Sequence, residues 1–267
     1  MNKKQIIVIT GASKGIGLAT AKLFAEKGHT VYNIARTACE ITNINSIICD
    51  ITDSNRLKDA VDSVYSKHKR IDILINNAGG GISGSAEKTL LADAKRLFDL
   101  NFFAAFEAIK YTIPYMRSQK YGKIVNIGSV AGAMHVPFQA FYSATKAAVE
   151  ALSNCLRGEL SPFGIKVTTV MPGDTRTGFT DAREKSFEKD DRDYGDRIFR
   201  SISMMEKDER NGMSPAAAAK VIYKAALSRN PKPSYVVGFN YGFFLFLNKI
   251  LPKRFVQFVL SKMYAAA

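Results

Sequence analysis

Short apolar runs alternate with longer helical patterns over the first two thirds of the chain. The runs are rich in β-branched residues and nearly continuous in apolar character, which is typical of strands buried on both faces of a parallel sheet. Six of them predict strands: IIVIT (6–10), TVYNIA (30–35), SIIC (46–49), IDILIN (71–76), GKIVNIG (122–128) and IKVTTV (165–170). A seventh run, SYVVG, predicts a short final strand at 234–238.

Helical patterns fill the intervals between these runs. The first carries an apolar stripe of four residues: Ile16, Ala19, Leu23 and Phe24. Segments 89–118 and 140–161 are long enough for major helices, and segment 214–227 opens with a capping Ser-Pro pair. Repeated strand–helix alternation predicts an α/β protein: one Rossmann-type domain over 1–267, with helices flanking a doubly wound parallel sheet.

Two segments depart from this alternation. Residues 173–213 are polar and charged, so we expect a substrate lid or a solvated helix pair there. Residues 240–264 are very apolar but are interrupted by charges, and no run reaches the ~20 residues that span a bilayer. This stretch predicts an amphipathic helix pair. Four roles remain open for it: closing over a lipophilic substrate, peripheral membrane contact, packing in an oligomer, or ordinary core packing.

Composition narrows the expected partners only slightly. The 267 residues include 38 Lys and Arg against 24 Asp and Glu, and this formal charge of +14 attracts anions such as a phosphorylated cofactor or a membrane surface. Nucleic acid is not an expected partner, because the basic residues are distributed along the chain without a dense tract. Three scattered cysteines predict neither a disulfide framework nor a metal site. The polar start runs straight into a strand, so we expect no signal peptide and a cytoplasmic protein.

A glycine-rich turn, TGASKGIG at 10–17, follows the first predicted strand and opens the first helix. Gly11, Gly15 and Gly17 allow a tight turn, close approach of the backbone to a ligand, and close packing of the helix on the sheet. The helix N-terminus offers free N–H groups and the positive end of its dipole to a pyrophosphate. The turn therefore predicts a dinucleotide site.

The end of the second strand bears on the choice of cofactor. A carboxylate there would hold the ribose hydroxyls of NAD, but no Asp or Glu occurs between His29 and Cys39. Arg36 stands just after the strand and Lys14 lies inside the glycine turn. Two cations without a competing carboxylate favour a 2′-phosphate, so NADP(H) is the predicted cofactor.

Tyr142 and Lys146 are four residues apart in a predicted helix and therefore lie on one face. Taken alone, this pair would be an exposed helix edge. It gains meaning from five other motifs in the same chain: TGASKGIG, NNAG (76–79), Asn101, Ser129 and PG (172–173). In order and spacing the six motifs, which extend from about residue 5 to 177, resemble those of the short-chain dehydrogenase/reductase family.

The resemblance implies a catalytic set and a cofactor pocket. The catalytic set would be Asn101, Ser129, Tyr142 and Lys146. Asp50 and Ile51 would contact the adenine, NNAG would line the pocket, and Thr177 would touch the nicotinamide carboxamide. The complete set of expected cofactor contacts is Gly11, Ser13, Lys14, Gly15, Ile16, Gly17, Arg36, Asp50, Ile51, Asn77, Ala78, Gly79, Tyr142, Lys146, Pro172, Gly173, Thr175 and Thr177.

The expected chemistry centres on a phenol. A free tyrosine with a pKa of about 10 exchanges protons poorly at neutral pH, and a nearby ammonium lowers that pKa. Lys146 would supply this charge and bind the nicotinamide ribose, while Ser129 and Tyr142 would contact the substrate oxygen. Asn101 would hold a water that links Lys146 to solvent. His135 is a further candidate for substrate contact, with an ordinary loop residue as the alternative.

The substrate expected from the C-terminal pattern is a small molecule, a bulky lipophilic secondary alcohol or ketone that exchanges a hydride with NADP(H). That pattern resembles family members that act on hydroxysteroids, retinoids or lipid-like ketones, so a hydroxysteroid or bile acid is the first expectation. The alternative is a β-ketoacyl (fatty-acyl) or other lipid-ketone reductase. A third reading, a cofactor-binding regulatory protein without activity, is disfavoured because Tyr142 and Lys146 are both present. Family habit predicts a homodimer or homotetramer.

Overall fold

Seven parallel strands form the central sheet of the molecule, a computed structural model that describes residues 4–186 and 193–264. The strands in chain order, with a separate short pair β5 and β8, are β1 (Ile6–Thr10), β2 (Thr30–Ala35), β3 (Ile44–Ile48), β4 (Ile73–Asn76), β5 (Ile82–Gly84), β6 (Gly122–Ile127), β7 (Ile165–Pro172), β8 (Glu184–Ser186) and β9 (Ser234–Val237). Their spatial order is β3-β2-β1-β4-β6-β7-β9. Strands β1 to β3 extend the sheet to one side of β1, and the later strands extend it to the other side, starting with β4. Doubly wound sheets bind ligands at this switch point between β1 and β4.

The predicted strands are confirmed, with shifts of a few residues at their ends. All five residues of β1 are buried, and Ile7 pairs with both Val31 of β2 and Ile73 of β4. β7 extends two residues beyond the predicted end, because Met171 and Pro172 pair with β9. Burial on both faces explains why these runs are continuously apolar rather than alternating.

Ten helices flank the sheet in the described part of the chain. They are α1 (Gly15–Glu26), α2 (Ser54–His68), α3 (Leu91–Phe98), α4 (Ala104–Ser118), α5 (Ala140–Leu160), α6 (Phe179–Ala182), α7 (Asp196–Arg210), α8 (Pro215–Leu227), α9 (Phe239–Ile250) and α10 (Lys253–Tyr264). One apolar core lies between the sheet and α2, α4 and α5. A second lies between the opposite face and α1 and α8. The predicted doubly wound α/β fold is confirmed.

The long helix predicted at 89–118 is interrupted. α3 and α4 are joined by a π-helical turn, Asp99–Phe103, which places Asn101 in a buried position. Such turns occur mostly at functional sites, because they re-aim side chains without ending the helix. At 214–227 the expected cap is present: Ser214 accepts a hydrogen bond from the Ala217 N–H at 3.3 Å.

The charged segment 173–213 is partly structured. It contains α6, β8 and α7, and β8 pairs with β5. α7 buries Ile198, Ile202 and Met205, so it is not the fully solvated helix that one of the two expectations described. Residues 187–192, at the centre of the predicted lid, lie outside the described residues.

The C-terminal stretch forms the predicted pair of amphipathic helices, α9 and α10. Each has 12 residues. Among the described residues, no helix has the length and apolar character needed to cross a bilayer.

Candidate active site

The glycine turn after β1 has the backbone geometry that its sequence predicts. Gly11 and Gly15 have φ of 69° and 59°, in the left-handed region where a side chain would be strained. At Gly17 an added Cβ would lie 2.4 Å from both the Gly11 carbonyl oxygen and the Asn77 Nδ2. The turn therefore packs against the NNAG segment so closely that Gly17 leaves no room for a side chain.

Two asparagines, the partly buried Asn77 and the buried Asn33, hold this turn in place. Asn77 donates from Nδ2 to the carbonyls of Thr10 and Gly11, at 3.0 and 2.9 Å. Asn33, in the middle of β2, accepts a hydrogen bond from the Ala12 N–H at 2.8 Å. Sequence reasoning missed Asn33, although a fully buried amide in an apolar strand is a recognisable signal because it needs a partner.

The predicted adenosine end lies at the tips of β2 and β3. Arg36 and Lys14 are both exposed and both line the central cavity, as do Asp50 and the buried Ile51. Hydrogen bonds from the Thr52 N–H and hydroxyl lower the pKa of Asp50, and the charge of Arg36 lowers it further. The Asp50 carboxylate at this end of the cavity is thus engaged by Thr52.

Tyr142, Ser129 and Lys146 come together at the ends of β6 and α5. The Ser129 side chain is hydrogen-bonded to Tyr142, and its oxygen also accepts from the Ala131 N–H at 3.1 Å. The Lys146 Nζ donates to the Ile127 carbonyl at 2.9 Å and lies 5.8 Å from the centroid of the Tyr142 ring. These three residues also line the central cavity.

The acidities of the pair differ from the sequence expectation. Burial raises the pKa of Tyr142, and the Ser129 hydrogen bond opposes that rise. Burial also lowers the pKa of Lys146 to about 8. The expected lowering of the Tyr142 pKa by Lys146 is not found here, because the effect of burial is larger.

Asn101 lies beside Lys146 but outside the cavity wall. Its Nδ2 donates to the Gly80 carbonyl and to the Thr145 hydroxyl, both at 3.0 Å, and its Oδ1 accepts from the Gly80 N–H at 2.8 Å. Both amide hydrogens are therefore used, whereas Oδ1 keeps one lone pair. A Cβ added to Gly79 would lie 3.1 Å from Oδ1 and 3.5 Å from the Lys146 Nζ. The two polar groups thus border one space.

The segment after β7 closes the nicotinamide end of the cavity. Pro172, Gly173, Thr175 and Thr177 all line it. Thr175 donates to the Gly173 carbonyl at 2.9 Å and forms a β-bridge with Met213. All the cofactor contacts predicted from sequence therefore border one cavity.

His135 is not brought to this cavity. It is exposed, its Nδ1 lies 3.3 Å from the Ala131 carbonyl, and the wall formed by the described residues does not include it. A local contact with the turn after Ser129 holds the ring away from the site, so the substrate contact predicted for His135 has no support in the structure.

The cavity, of about 1100 Å³, extends well beyond the predicted cofactor contacts. Phe179 packs on Tyr142, with ring centroids 5.6 Å apart. The outer wall is apolar and comes largely from the C-terminal helices: Phe244, Leu247, Leu251, Phe255, Val256, Val259, Leu260 and Met263. Sequence analysis identified these helices as one possible cover of a lipophilic substrate, and the structure places them there.

Four carboxylates besides Asp50 also line the cavity, and sequence analysis did not single them out: Asp174, Glu184, Asp208 and Glu209. Glu184 is paired with Arg96. Asp174 accepts a hydrogen bond from the Tyr241 hydroxyl of α9, and Asp208 accepts one from Tyr264 of α10. Glu209 is paired with Arg183 and accepts from Thr180 at 2.7 Å. Burial raises the pKa of Asp174 and of Glu209, and both charges act on the Tyr142 phenol.

Comparison with known proteins defines the class to which this fold and site belong. The family model described as short chain dehydrogenase matches residues 5–188. The chain belongs to the short-chain dehydrogenase/reductase family, whose members are oxidoreductases that bind nicotinamide cofactors.

One curated relative is similar over nearly the whole length. It is a 3-ketodihydrosphingosine reductase from Bacteroides thetaiotaomicron, 41% identical over 264 residues that cover 98% of each chain. A solved short-chain dehydrogenase from Streptomyces avermitilis superposes with a TM-score of 0.84 at 30% identity, covering 98% of this chain and 96% of that one.

Two further solved structures contain a bound nicotinamide dinucleotide. ElxO with NADP bound has a TM-score of 0.73 at 25% identity and covers 90% of this chain and 100% of that one. A Burkholderia phymatum short-chain dehydrogenase in complex with NAD has a TM-score of 0.80 at 21% identity and covers 92% of each chain. Both dinucleotides therefore occur on this fold.

Proposed function

We propose that the protein is an NADPH-dependent reductase of a long-chain lipid ketone that carries an amine next to the carbonyl. The observation that carries this proposal is one cavity that joins Tyr142 and Ser129 to an apolar wall and to a group of carboxylates. Similarity to a 3-ketodihydrosphingosine reductase supports it, since that name denotes a long alkyl chain with an amine beside a ketone.

Ser129 and Tyr142 would act on the ketone oxygen. When bound, the reduced nicotinamide supplies a hydride to the carbonyl carbon. Ser129 would donate a hydrogen bond to the oxygen as negative charge develops, and Tyr142 would transfer its proton there to complete the alcohol. The raised pKa of Tyr142 keeps the phenol protonated at neutral pH, which suits the reductive direction.

Lys146 and Asn101 would restore the proton that Tyr142 gives up. One of the three Lys146 hydrogens is held by the Ile127 carbonyl, which leaves two for a ribose hydroxyl and a water. The free lone pair of Asn101 Oδ1 borders the same space and would hold that water. As the phenolate forms, the Lys146 charge stabilises it, which is the effect that sequence analysis assigned to this residue.

Arg36 and Lys14 support NADPH over NADH. Both are exposed cations on the wall of the cavity at the ends of β2 and of the glycine turn. Asp50, the nearby carboxylate, is engaged by Thr52 rather than directed at a ribose. Two free cations favour the 2′-phosphate of NADP, which an aspartate at the end of β2 would repel.

The charges in the outer cavity favour an amine over a bile acid. Asp174 and Glu209 act on the Tyr142 phenol and line the cavity together with Asp208, so a carboxylate on the substrate would be repelled there. An ammonium placed among them would favour their ionised forms and be held beside the ketone. The apolar wall of α9 and α10 then accommodates an alkyl chain. The first expectation from sequence, a hydroxysteroid or bile acid, accounts for the wall but not for these carboxylates.

A substrate panel tests this proposal by the loss of NADPH absorbance. The panel compares 3-ketodihydrosphingosine, its N-acetyl derivative, an acetoacetyl thioester and a 3-ketosteroid. We expect the free amine to have the highest kcat/KM, at least about tenfold above the N-acetyl compound, which is the effect of losing one charged hydrogen bond. A higher kcat/KM for the steroid or the thioester would contradict the proposal.

A variant that removes one negative charge tests whether Asp174 binds the substrate amine. Asp174→Asn should lower kcat/KM for the free amine and leave the N-acetyl derivative nearly unchanged. Glu159→Gln, an exposed carboxylate far along α5, is the matched control and should change neither. An equal loss of kcat/KM for both substrates in Asp174→Asn would show that this residue supports the structure of the site but does not bind the amine.

A further inference from the structure

The C-terminal helices present an apolar stripe to the outside as well as a wall to the cavity. On α9 the stripe consists of Phe239, Phe243, Phe246 and Ile250, which are 91%, 52%, 57% and 59% exposed. Their spacing of four, three and four places them on one helical face. The cavity-lining residues of α9, such as Phe244 and Leu247, lie on a different face of the same helix.

On α10 the exposed apolar surface continues to the rim of the cavity. Phe255, Val259 and Met263 are exposed, yet they also line the cavity. Phe258 is exposed beside them, with the Lys262 ammonium 6.0 Å from its ring centroid. On α10, exposed apolar residues therefore lead directly to the mouth of the cavity.

Most of the net positive charge comes from the part of the chain after Glu209, because acidic residues are missing there. After Glu209 the sequence contains nine Lys and Arg and no Asp or Glu, which is +9 of the total +14. Four of these cations are exposed on or between α9 and α10, and none of the four has an ion-pair partner among the described residues: Lys249, Lys253, Arg254 and Lys262. Exposed aromatic residues beside unpaired cations are typical of helices that lie in a bilayer interface.

We propose that α9 and α10 dock on an anionic lipid bilayer and open the cavity toward it. Each helix has 12 residues, about 18 Å at 1.5 Å per residue, so it lies in the interface and does not span the hydrocarbon. Unpaired cations attract anionic headgroups, and the Phe stripe enters the boundary with the acyl chains. A lipid can then pass from the bilayer along Phe255, Val259 and Met263 into the cavity.

A second copy of the chain fits this surface less well. Two copies of α9 and α10 facing each other would oppose cations with cations, because residues after Glu209 include no carboxylate to pair with them. The predicted oligomer is therefore expected to use another face. The docking does not depend on the substrate proposed above, since any lipid that enters the cavity would use the same surface.

Vesicle co-sedimentation tests the docking directly. The full chain is incubated with vesicles of phosphatidylcholine alone and with vesicles of equal parts phosphatidylcholine and phosphatidylglycerol. We expect binding to the anionic vesicles to be at least about tenfold tighter, since each cation near such a surface contributes to the attraction. Absence of binding to the anionic vesicles overturns the proposal, as does equal affinity for both kinds.

Three combined variants distinguish the contributions of the Phe stripe, of the cations on α9 and α10, and of the net charge to vesicle binding. The first is Phe243→Ser with Phe246→Ser and Phe258→Ser, none of which lines the cavity. The second replaces the four cations of α9 and α10 by Gln. The matched control replaces four other exposed cations by Gln: Lys220, Lys224, Arg229 and Lys232, on α8 and the loop before β9. That loop and α9 lie at opposite ends of the same strand, because β9 starts at the loop and runs toward α9.

The first two variants should each weaken binding to anionic vesicles about tenfold or more, and the control by less than about twofold. Equal losses in the two charge variants would show attraction by net charge alone and overturn the proposal. Undiminished binding by the Phe variant would overturn it as well. Sedimentation velocity completes the test: a Phe variant that dissociates an oligomer, in a protein that binds no vesicles, would assign the stripe to a second copy instead.

Discussion

The Lys146 ammonium donates to the carbonyl oxygen of Ile127 at 2.9 Å, so the end of β6 fixes the position of a charge that lies on α5. The helix alone would leave this long side chain several rotamers. The contact removes that freedom and leaves Nζ 5.8 Å from the Tyr142 ring centroid. A backbone carbonyl thus orients the cation that the proposed proton relay needs, before any substrate is present.

The proposed role of Tyr142 predicts a large loss of turnover in Tyr142→Phe. Removing a positioned proton donor should lower kcat for ketone reduction by about 10²–10⁴-fold. Binding of NADPH, followed by its fluorescence, should change little, because the phenyl ring remains in contact with Phe179. A variant that retains wild-type kcat would remove Tyr142 from the chemistry.

The pKa of Lys146 predicts a pH limit. Burial lowers this pKa to about 8, so the ammonium is charged below pH 8 and becomes a neutral amine above it. Since the relay needs the charged form, kcat/KM for reduction should fall as the pH rises through about 8. Lys146→Arg keeps its charge at that pH, so its residual activity should lack this limb. The same falling limb in both proteins would trace it to another group.

Cofactor preference should follow the charge after β2. In Arg36→Asp the new carboxylate would repel the 2′-phosphate and accept hydrogen bonds from the ribose hydroxyls of NADH. We expect the ratio of kcat/KM for NADPH to that for NADH to fall at least about tenfold, the effect of one charged hydrogen bond. Lys14→Gln should weaken NADPH without improving NADH. An unchanged ratio in Arg36→Asp would contradict the phosphate assignment.

The contact between the glycine turn and NNAG predicts a difference between two alanine substitutions. Gly17→Ala would place a Cβ 2.4 Å from a backbone oxygen and should cost about 1–3 kcal/mol in unfolding free energy. Gly158→Ala is the control: this exposed helical position has nothing within 4 Å of an added Cβ, and a gain of about 0.5–1 kcal/mol is expected. Denaturant unfolding measures both, and equal effects would be inconsistent with the tight turn.

His29 predicts a dependence of stability on pH. Burial lowers its pKa below 6.5, so the unfolded chain binds this proton more strongly than the folded protein does. The unfolding free energy should therefore decrease as the pH falls below about 6.5. His29→Asn keeps an acceptor for the Gln5 N–H, which lies 3.2 Å from Nδ1, and cannot titrate. Between about pH 7 and about pH 5, this variant should lose less unfolding free energy than the wild-type protein. An identical loss in the two proteins would exclude His29 as the cause.

The features of the fold and site that follow from a local sequence pattern could be predicted. The strands of the sheet are continuous β-branched runs, and the glycine turn is recognisable from its three glycines and the helix that follows. The spacing of Tyr142 and Lys146 likewise follows from one helix. Each of these depends on contacts within a few residues or on a pattern repeated in every strand.

Features that depend on contacts between residues far apart in the chain could not be predicted from the sequence. The π-turn around Asn101 is stabilised by Gly80 and Thr145, which are 21 and 44 residues away. The carboxylates of the cavity become part of the site only because Tyr241 and Tyr264 bring α9 and α10 over them. His135 was placed near the substrate by its position between Ser129 and Tyr142, but the turn between them directs it to solvent. The homodimer or homotetramer and the cytoplasmic location stay predictions.

The most direct measurement of the central claim follows a deuterium atom. The protein is given 3-ketodihydrosphingosine and NADPH carrying deuterium at the transferable position of the nicotinamide, and the product is examined by mass spectrometry and NMR. The account predicts one deuterium on the former carbonyl carbon with the wild-type protein, and formation of that product slowed by about 10²–10⁴-fold in Tyr142→Phe. An alcohol without deuterium at that carbon, or labelled product formed equally fast by the variant, would contradict it.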